Sequence, residues 1–219
     1  MKELLSKCRP VPAEKSLKHD IIGTVLIILM GIVLGIFTKL LDNLSLNDAV
    51  TWHRILELLD LCNVFSRLSV WALFAVGIAV FSKHPLRASI NVFGFLTGML
   101  IGYYVITITV SCFFPKTYMI AWGIITLFTP ILAFFTWYSR GNGWLAIIVS
   151  SIIIAFFFTQ AFSFGMWYVD ISYWDGVICL LLSIILLYRD KKQFALSMIG
   201  ALIIAPLIKI PLPYIFGGL

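Results

Sequence analysis

The chain has 219 residues, of which 61% are hydrophobic and 12% charged, with a net charge of +6 and a mean hydropathy of +1.03. Soluble domains carry about 45–50% apolar and about 25% charged residues, so this chain has too little polar surface to cover itself in water. The composition excludes an ordinary soluble enzyme, and the bases lie in short segments between apolar runs, as lipid contact and topology require rather than nucleic acid.

Seven charge-free runs follow in order: Ile21–Thr38, Leu68–Ser82, Ala88–Pro115, Thr117–Ser139, Gly141–Val169, Gly176–Tyr188 and Gln193–Ile208. Backbone groups in lipid must be paired internally, so these read as helices, and a span needs roughly 20 residues. The expected fold is an all-α polytopic bundle of seven spans, or six plus a re-entrant C-terminal segment. The whole of 1–219 forms one membrane domain, and residues 1–20 are a basic cytoplasmic tail. The run from Ile21 is longer than a signal-peptide core and is expected to stay as the first span. The second run is short and is expected to begin near Cys62, with Arg67 snorkelling to the interface. Pro206, Pro211 and Pro213 leave open whether the last segment spans or turns back.

Placing the N-terminus inside puts 11 of the 16 basic residues on the cytoplasmic side, among them Arg9, Lys83, Arg87, Arg140 and Arg189. The outer set is Lys39, Arg54, Arg67, Lys116 and Lys209. This is the asymmetry expected of a multi-pass protein of a cell membrane. Residues 42–66 form the one sizeable segment outside the spans. Ser45-x-x-Asp48 resembles a capping box, and Asn47, Thr51, Arg54 and Glu57 share a helical face opposite Trp52, Leu56 and Leu59. The segment reads as an external amphipathic helix, either a surface anchor or a lid.

Gly94, Gly98 and Gly102 make a smooth stripe on the third span, and Gly31 and Gly35 make another on the first. Such stripes bring backbones close in lipid, within the bundle, in a homo-oligomer or against a membrane partner. Lys83, His84 and Arg87 join spans two and three, and with Arg140 they could hold a headgroup or another anion, though a positive-inside loop explains them as well. Trp167, Tyr168, Asp170, Tyr173, Trp174 and Asp175 crowd the outer junction of spans five and six. Aromatic faces with carboxylates suit an organic cation, and an interfacial aromatic belt is the plainer reading. Tyr103 and Tyr104 decorate span three, while Gln160, Ser163 and Trp167 fall on one helical face of span five. They either hydrogen-bond between helices or line a solute cavity.

No Asp, Glu or Lys lies well inside a long run, and no phosphate-binding loop, zinc-protease or serine-hydrolase motif is present. Cys8, Cys62, Cys112 and Cys179 are too scattered for a metal site. No catalytic residue, metal or cofactor is therefore expected.

The stretch from Phe81 through Lys83-His-Pro-Leu-Arg87 to Gly102-Tyr-Tyr104, together with Leu34–Asp42 and Trp137–Trp144, resembles a family of small bacterial integral membrane proteins, mainly of Gram-positive organisms. That resemblance implies a multi-pass fold and transfers no functional residue. A looser, architectural likeness is to the substrate-binding subunits of energy-coupling-factor transporters, through Gly31, Gly35 and the 42–66 segment, and a seventh span departs from it. The expectation is binding or transport of a small solute, with an energising partner. The alternatives are a structural or regulatory subunit packing through its glycine stripes, and a lipid-modifying enzyme at Lys83, His84, Arg87 and Arg140.

Overall fold

The computed structural model describes residues 8–11, 17–44, 51–58, 60–112, 115–165 and 167–209. Ser45, Asn47, Asp48, Leu59, Pro211 and Pro213 lie outside the described residues, and with them the capping box.

Among the described residues, nine helices and one hairpin follow the apolar runs. They are α1 (Leu17–Asp42), α2 (Thr51–Leu58), α3 (Leu61–Val64), α4 (Leu68–Phe81), α5 (Pro85–Thr109), α6 (Lys116–Trp137), α7 (Trp144–Ala161), β1 (Phe162–Phe164), β2 (Val169–Ile171), α8 (Trp174–Leu187) and α9 (Lys191–Lys209). Five helices are long and apolar enough to cross a membrane: α1, α5, α6, α7 and α9. Helices α4 and α8 have 14 residues each, about 21 Å at the α-helical rise, against a hydrocarbon core of about 30 Å. The outward face of the bundle is apolar. Ile185 is 68% exposed, as is Leu127 on α6, and Val33 on α1 is 63% exposed. A belt of this kind asks for lipid around it.

The 42–66 segment, expected to be external, is not one helix. It forms α2 and α3, separated by Asp60 in the left-handed region (φ 50°). Helix α9 runs unbroken through Pro206. In α6, Pro130 has no N–H for the Thr126 carbonyl, and the Thr129 hydroxyl donates to that carbonyl at 2.7 Å instead.

Helix α7 stops at Ala161, eight residues before the charge-free run ends at Val169. The chain then makes an antiparallel hairpin that pairs Phe162 with Ile171, Ser163 with Asp170 and Phe164 with Val169. Aromatic and β-branched residues around Gly165 favour a tight strand pair, and hydropathy alone cannot separate that from a helix. The fold is all-α as expected, and this short hairpin replaces helix only at the end of the fifth apolar run.

The bundle is built on two helix pairs, α1 with α5 and α7 with α9, joined through the short, central α4. Trp71 of α4 packs with Phe95 and Trp137 in one core, while Val80 of α4 packs with Phe157 and Ala161 in the other. The α1–α5 pair depends on its glycines. A Cβ at Gly98 would sit 2.5 Å from the Ile28 carbonyl oxygen, and one at Gly102 would sit 2.3 Å from that of Ile32. From the other side, Gly31 and Gly35 would meet the Phe95 and Met99 carbonyl oxygens at 2.2 and 2.1 Å. Gly94 faces the Ile28 side chain. The two stripes therefore pack on each other, backbone against backbone, inside the chain.

Candidate ligand cavity

The end of the bundle that carries α2, α3 and the hairpin contains a cavity of about 980 Å³. Its wall is assembled from the ends of α1, α4, α5, α6, α7 and α8 and from the α3–α4 junction. Drug-sized ligands occupy cavities of roughly 300–1,000 Å³ with a mostly apolar lining and a few placed polar groups. Here the aromatic lining comes from Phe65, Trp71, Tyr103, Tyr104, Tyr118, Trp122 and Tyr173.

The polar wall starts at Arg67, just before α4 begins. Its guanidinium donates through Nη1 to Asp175 Oδ1 and through Nη2 to Asp60 Oδ2. The Arg67 Cζ lies 3.8 Å from the centre of the Tyr173 ring. Only 18% of the Arg67 side chain and 12% of that of Asp175 are exposed, whereas Asp60 is 46% exposed. Arg67 therefore turns inward and does not snorkel outward. A charge this close to the bundle interior needs a partner, and Asp175 from the first turn of α8 supplies it.

A second group sits where α1 ends. Asp42 accepts the Tyr103 hydroxyl at 2.7 Å and the Ser66 hydroxyl at 3.1 Å. Lys39 Nζ lies 3.9 Å from Asp42 and 5.2 Å from the Tyr103 ring centre. The Trp71 indole donates to the Phe65 carbonyl oxygen at 2.5 Å. Helix α1, the α3–α4 junction and α5 are thus tied by polar contacts beside the cavity, and the α2–α3 segment is tied to α8 through Arg67.

Of the expected ligand residues, Tyr103, Tyr104, Gln160 and Asp175 come together on this cavity. The others do not. Ser163 is in β1, Asp170 is its partner in β2, and Trp167 at the hairpin tip is 91% exposed. The shared face of Gln160, Ser163 and Trp167 requires a helix that ends at Ala161. Trp174 is 73% exposed, so the cluster divides into an outward belt and a cavity-lining pair, the half-exposed Tyr173 and the shielded Asp175.

The proposed anion group also divides. Lys83 Nζ lies 2.5 Å from Asp20 Oδ1, and Arg87 Nη2 lies 3.7 Å from Asp20 Oδ2. His84 precedes the first turn of α5. Arg140 is not part of that ion pair, and its guanidinium lies 5.5 Å from the Phe81 ring centre.

Lys39, Asp60, Arg67, Tyr118 and Trp122 are cavity residues that the sequence reading did not select. The one available signal was Arg67 beside an apolar run, which a snorkelling explanation absorbed. Among the described residues, no three His, Cys, Asp or Glu side chains converge as a metal site. The wall offers hydrogen bonds, two paired cations and aromatic faces.

Comparison with protein-family models, curated proteins and solved structures found no match to this chain.

Proposed function

We propose that this chain is a multi-pass membrane protein that binds a small solute in the cavity at its α2–α3 end, as part of transport across a cell membrane. The observation that carries the reading is the cavity itself, about 980 Å³, walled by the ends of six helices that are mostly distant in sequence. A bundle needing only structural integrity gains nothing from such a void, because interiors pack densely and unfilled space forfeits dispersion contacts.

In this reading α4 and α8 complete their passage through the flanking segments 60–67 and 162–173, giving seven spans with the N-terminus cytoplasmic. The cavity then opens outward beneath α2 and α3, which act as its cover, latched by Arg67 between Asp60 and Asp175. With no phosphate-binding loop in the sequence, uphill transport would need an energising partner. The rival subunit reading has less support, because the glycine stripes it depends on are occupied by each other. The lipid-modifying enzyme reading has less support, because Lys83 and Arg87 already engage Asp20.

The test is thermal unfolding of the detergent-purified chain across a broad panel of metabolites. A reproducible upward shift with one chemical class, lost in Tyr104→Ala, is expected. The absence of any shift across the panel contradicts the proposal.

A further inference from the structure

The opposite end of the bundle gathers three arginines from distant parts of the chain. Arg9 stacks its guanidinium on Trp137, 4.0 Å from the ring centre. It also donates to the Trp137 carbonyl oxygen at 2.5 Å and to the Val80 carbonyl oxygen at 3.2 Å. The next residue after Val80 is Phe81, whose ring lies under Arg140. Arg189 donates through Nη1 to the Arg140 carbonyl oxygen. The segment that carries Arg9 is fixed by its neighbour. The Cys8 carbonyl accepts the Asn142 N–H at 2.7 Å, and a Cβ on Gly141 would stand 2.5 Å from the Cys8 sulfur.

Among the described residues, no carboxylate lies within 4 Å of Arg9, Arg140 or Arg189. The nearby acids have other tasks. Asp20 holds Lys83 and Arg87, and Asp190 receives the Lys192 backbone N–H at the start of α9. Helix C-terminal carbonyls offset part of the charge on Arg9. Among the described residues, Arg140 and Arg189 have no such compensation on their guanidinium groups beyond Phe81 and one carbonyl. Burial and repulsion from Arg140 and Arg189 push the Arg9 guanidinium down from its ordinary value, in keeping with like charges held together. Around the cluster Phe81 is 66% exposed and Trp144 63%. Aromatic side chains of this kind sit at the headgroup level of a bilayer.

We infer that Arg9, Arg140 and Arg189 form a binding site for the phosphate of an anionic phospholipid headgroup, with Phe81 and Trp144 against the start of its acyl chains. Guanidinium groups match phosphate oxygens with paired N–H donors, and an anion there removes the mutual repulsion of the three cations. The site is independent of the solute cavity and differs from the loop group expected from sequence, since only Arg140 is common to both. It also gives the N-terminal segment a role: Cys8 and Arg9 are the part of the chain that completes the site.

The test is native mass spectrometry of the full chain in mild detergent, titrated with phosphatidylglycerol, phosphatidylcholine and inorganic phosphate. Wild type is expected to retain phosphatidylglycerol in preference to phosphatidylcholine. Arg140→Gln should cut that preference roughly fivefold, the effect of one base near an anionic surface, and Arg189→Gln should do the same. Lys116→Gln, which removes an equal charge at the opposite end, should leave it unchanged. Thermal unfolding of each variant separates lost binding from lost folding, and Arg140→Lys should restore part of the preference. Equal retention of the two lipids by wild type overturns the inference. So does a fall as large in Lys116→Gln as in Arg140→Gln. Displacement of phosphatidylglycerol by inorganic phosphate at equal concentration would make this a free-phosphate site and overturn the lipid assignment.

Discussion

Arg67 and Asp175 form an ion pair across 108 residues of sequence, joining the start of α4 to the first turn of α8. The pair is largely shielded, and Arg67 extends it to Asp60 at the edge of the α2–α3 segment. Removing one partner leaves a buried charge without compensation, which costs about 3–5 kcal/mol. Arg67→Ala is therefore expected to lower the unfolding temperature sharply in detergent. Asp60→Asn should cost less than about 1 kcal/mol, because that carboxylate is nearly half exposed. Equal losses in the two variants would contradict this division.

The glycine contacts give a prediction of opposite sign at neighbouring positions. Gly98→Leu and Gly102→Leu force α1 away from α5, since even a Cβ meets a backbone carbonyl oxygen. Both should destabilise the chain by more than about 3 kcal/mol, as overpacking against backbone does at its upper end. Gly77 has nothing within 4 Å of the same position. Gly77→Ala is expected to be neutral or stabilising by up to about 1 kcal/mol, from helix propensity. Unfolding in a graded detergent series measures all three.

The helices were legible because their causes are local. Charge-free runs and their flanking bases mark α1, α5, α6, α7 and α9, and the spacing of Gly94, Gly98 and Gly102 marks a close helix contact. The hairpin was not legible, because Phe162 to Ile171 is as apolar as a helix end and its strand pairing depends on the turn at Gly165. The cavity was legible only in part. Tyr103, Tyr104 and Gln160 stand out as polar groups in apolar runs. Arg67, Asp60 and Lys39 lie at helix ends, where a base or acid has an ordinary explanation, and only the fold turns them toward the cavity.

The divided aromatic cluster separates two groups of variants. Tyr104 and Gln160 line the cavity, whereas Trp167 and Trp174 face away from it. Tyr104→Ala and Gln160→Ala should weaken solute binding by roughly tenfold, as loss of one aromatic or hydrogen-bonding contact does. Trp167→Ala should leave affinity unchanged and weaken seating at the bilayer interface. Binding curves from the thermal-shift ligand provide the comparison.

The cysteines report both burial and orientation. Cys112, beyond the end of α5, is exposed, and Cys8 at the opposite end is buried. Burial raises the Cys8 thiol above its ordinary value, so less thiolate forms at a given pH and alkylation is slow. With the protonated form favoured by folding, Cys8 docking is at full strength below the ordinary thiol range and weakens as pH rises through the raised value. A membrane-impermeant maleimide added to intact cells should label Cys112 rapidly. It should leave Cys8 unlabelled even after permeabilisation at pH 7. Labelling of Cys112 only after permeabilisation would invert the proposed orientation.

The central claim is that the α2–α3 end holds a small solute. Native mass spectrometry of the chain extracted from its own membrane in mild detergent tests it most directly. One small molecule per chain is expected, and Gln160→Trp, which fills part of the cavity, should lose it while remaining folded. A wild-type chain that retains lipid but no small molecule, or a Gln160→Trp chain that retains the same mass as wild type, would contradict the assignment of the cavity.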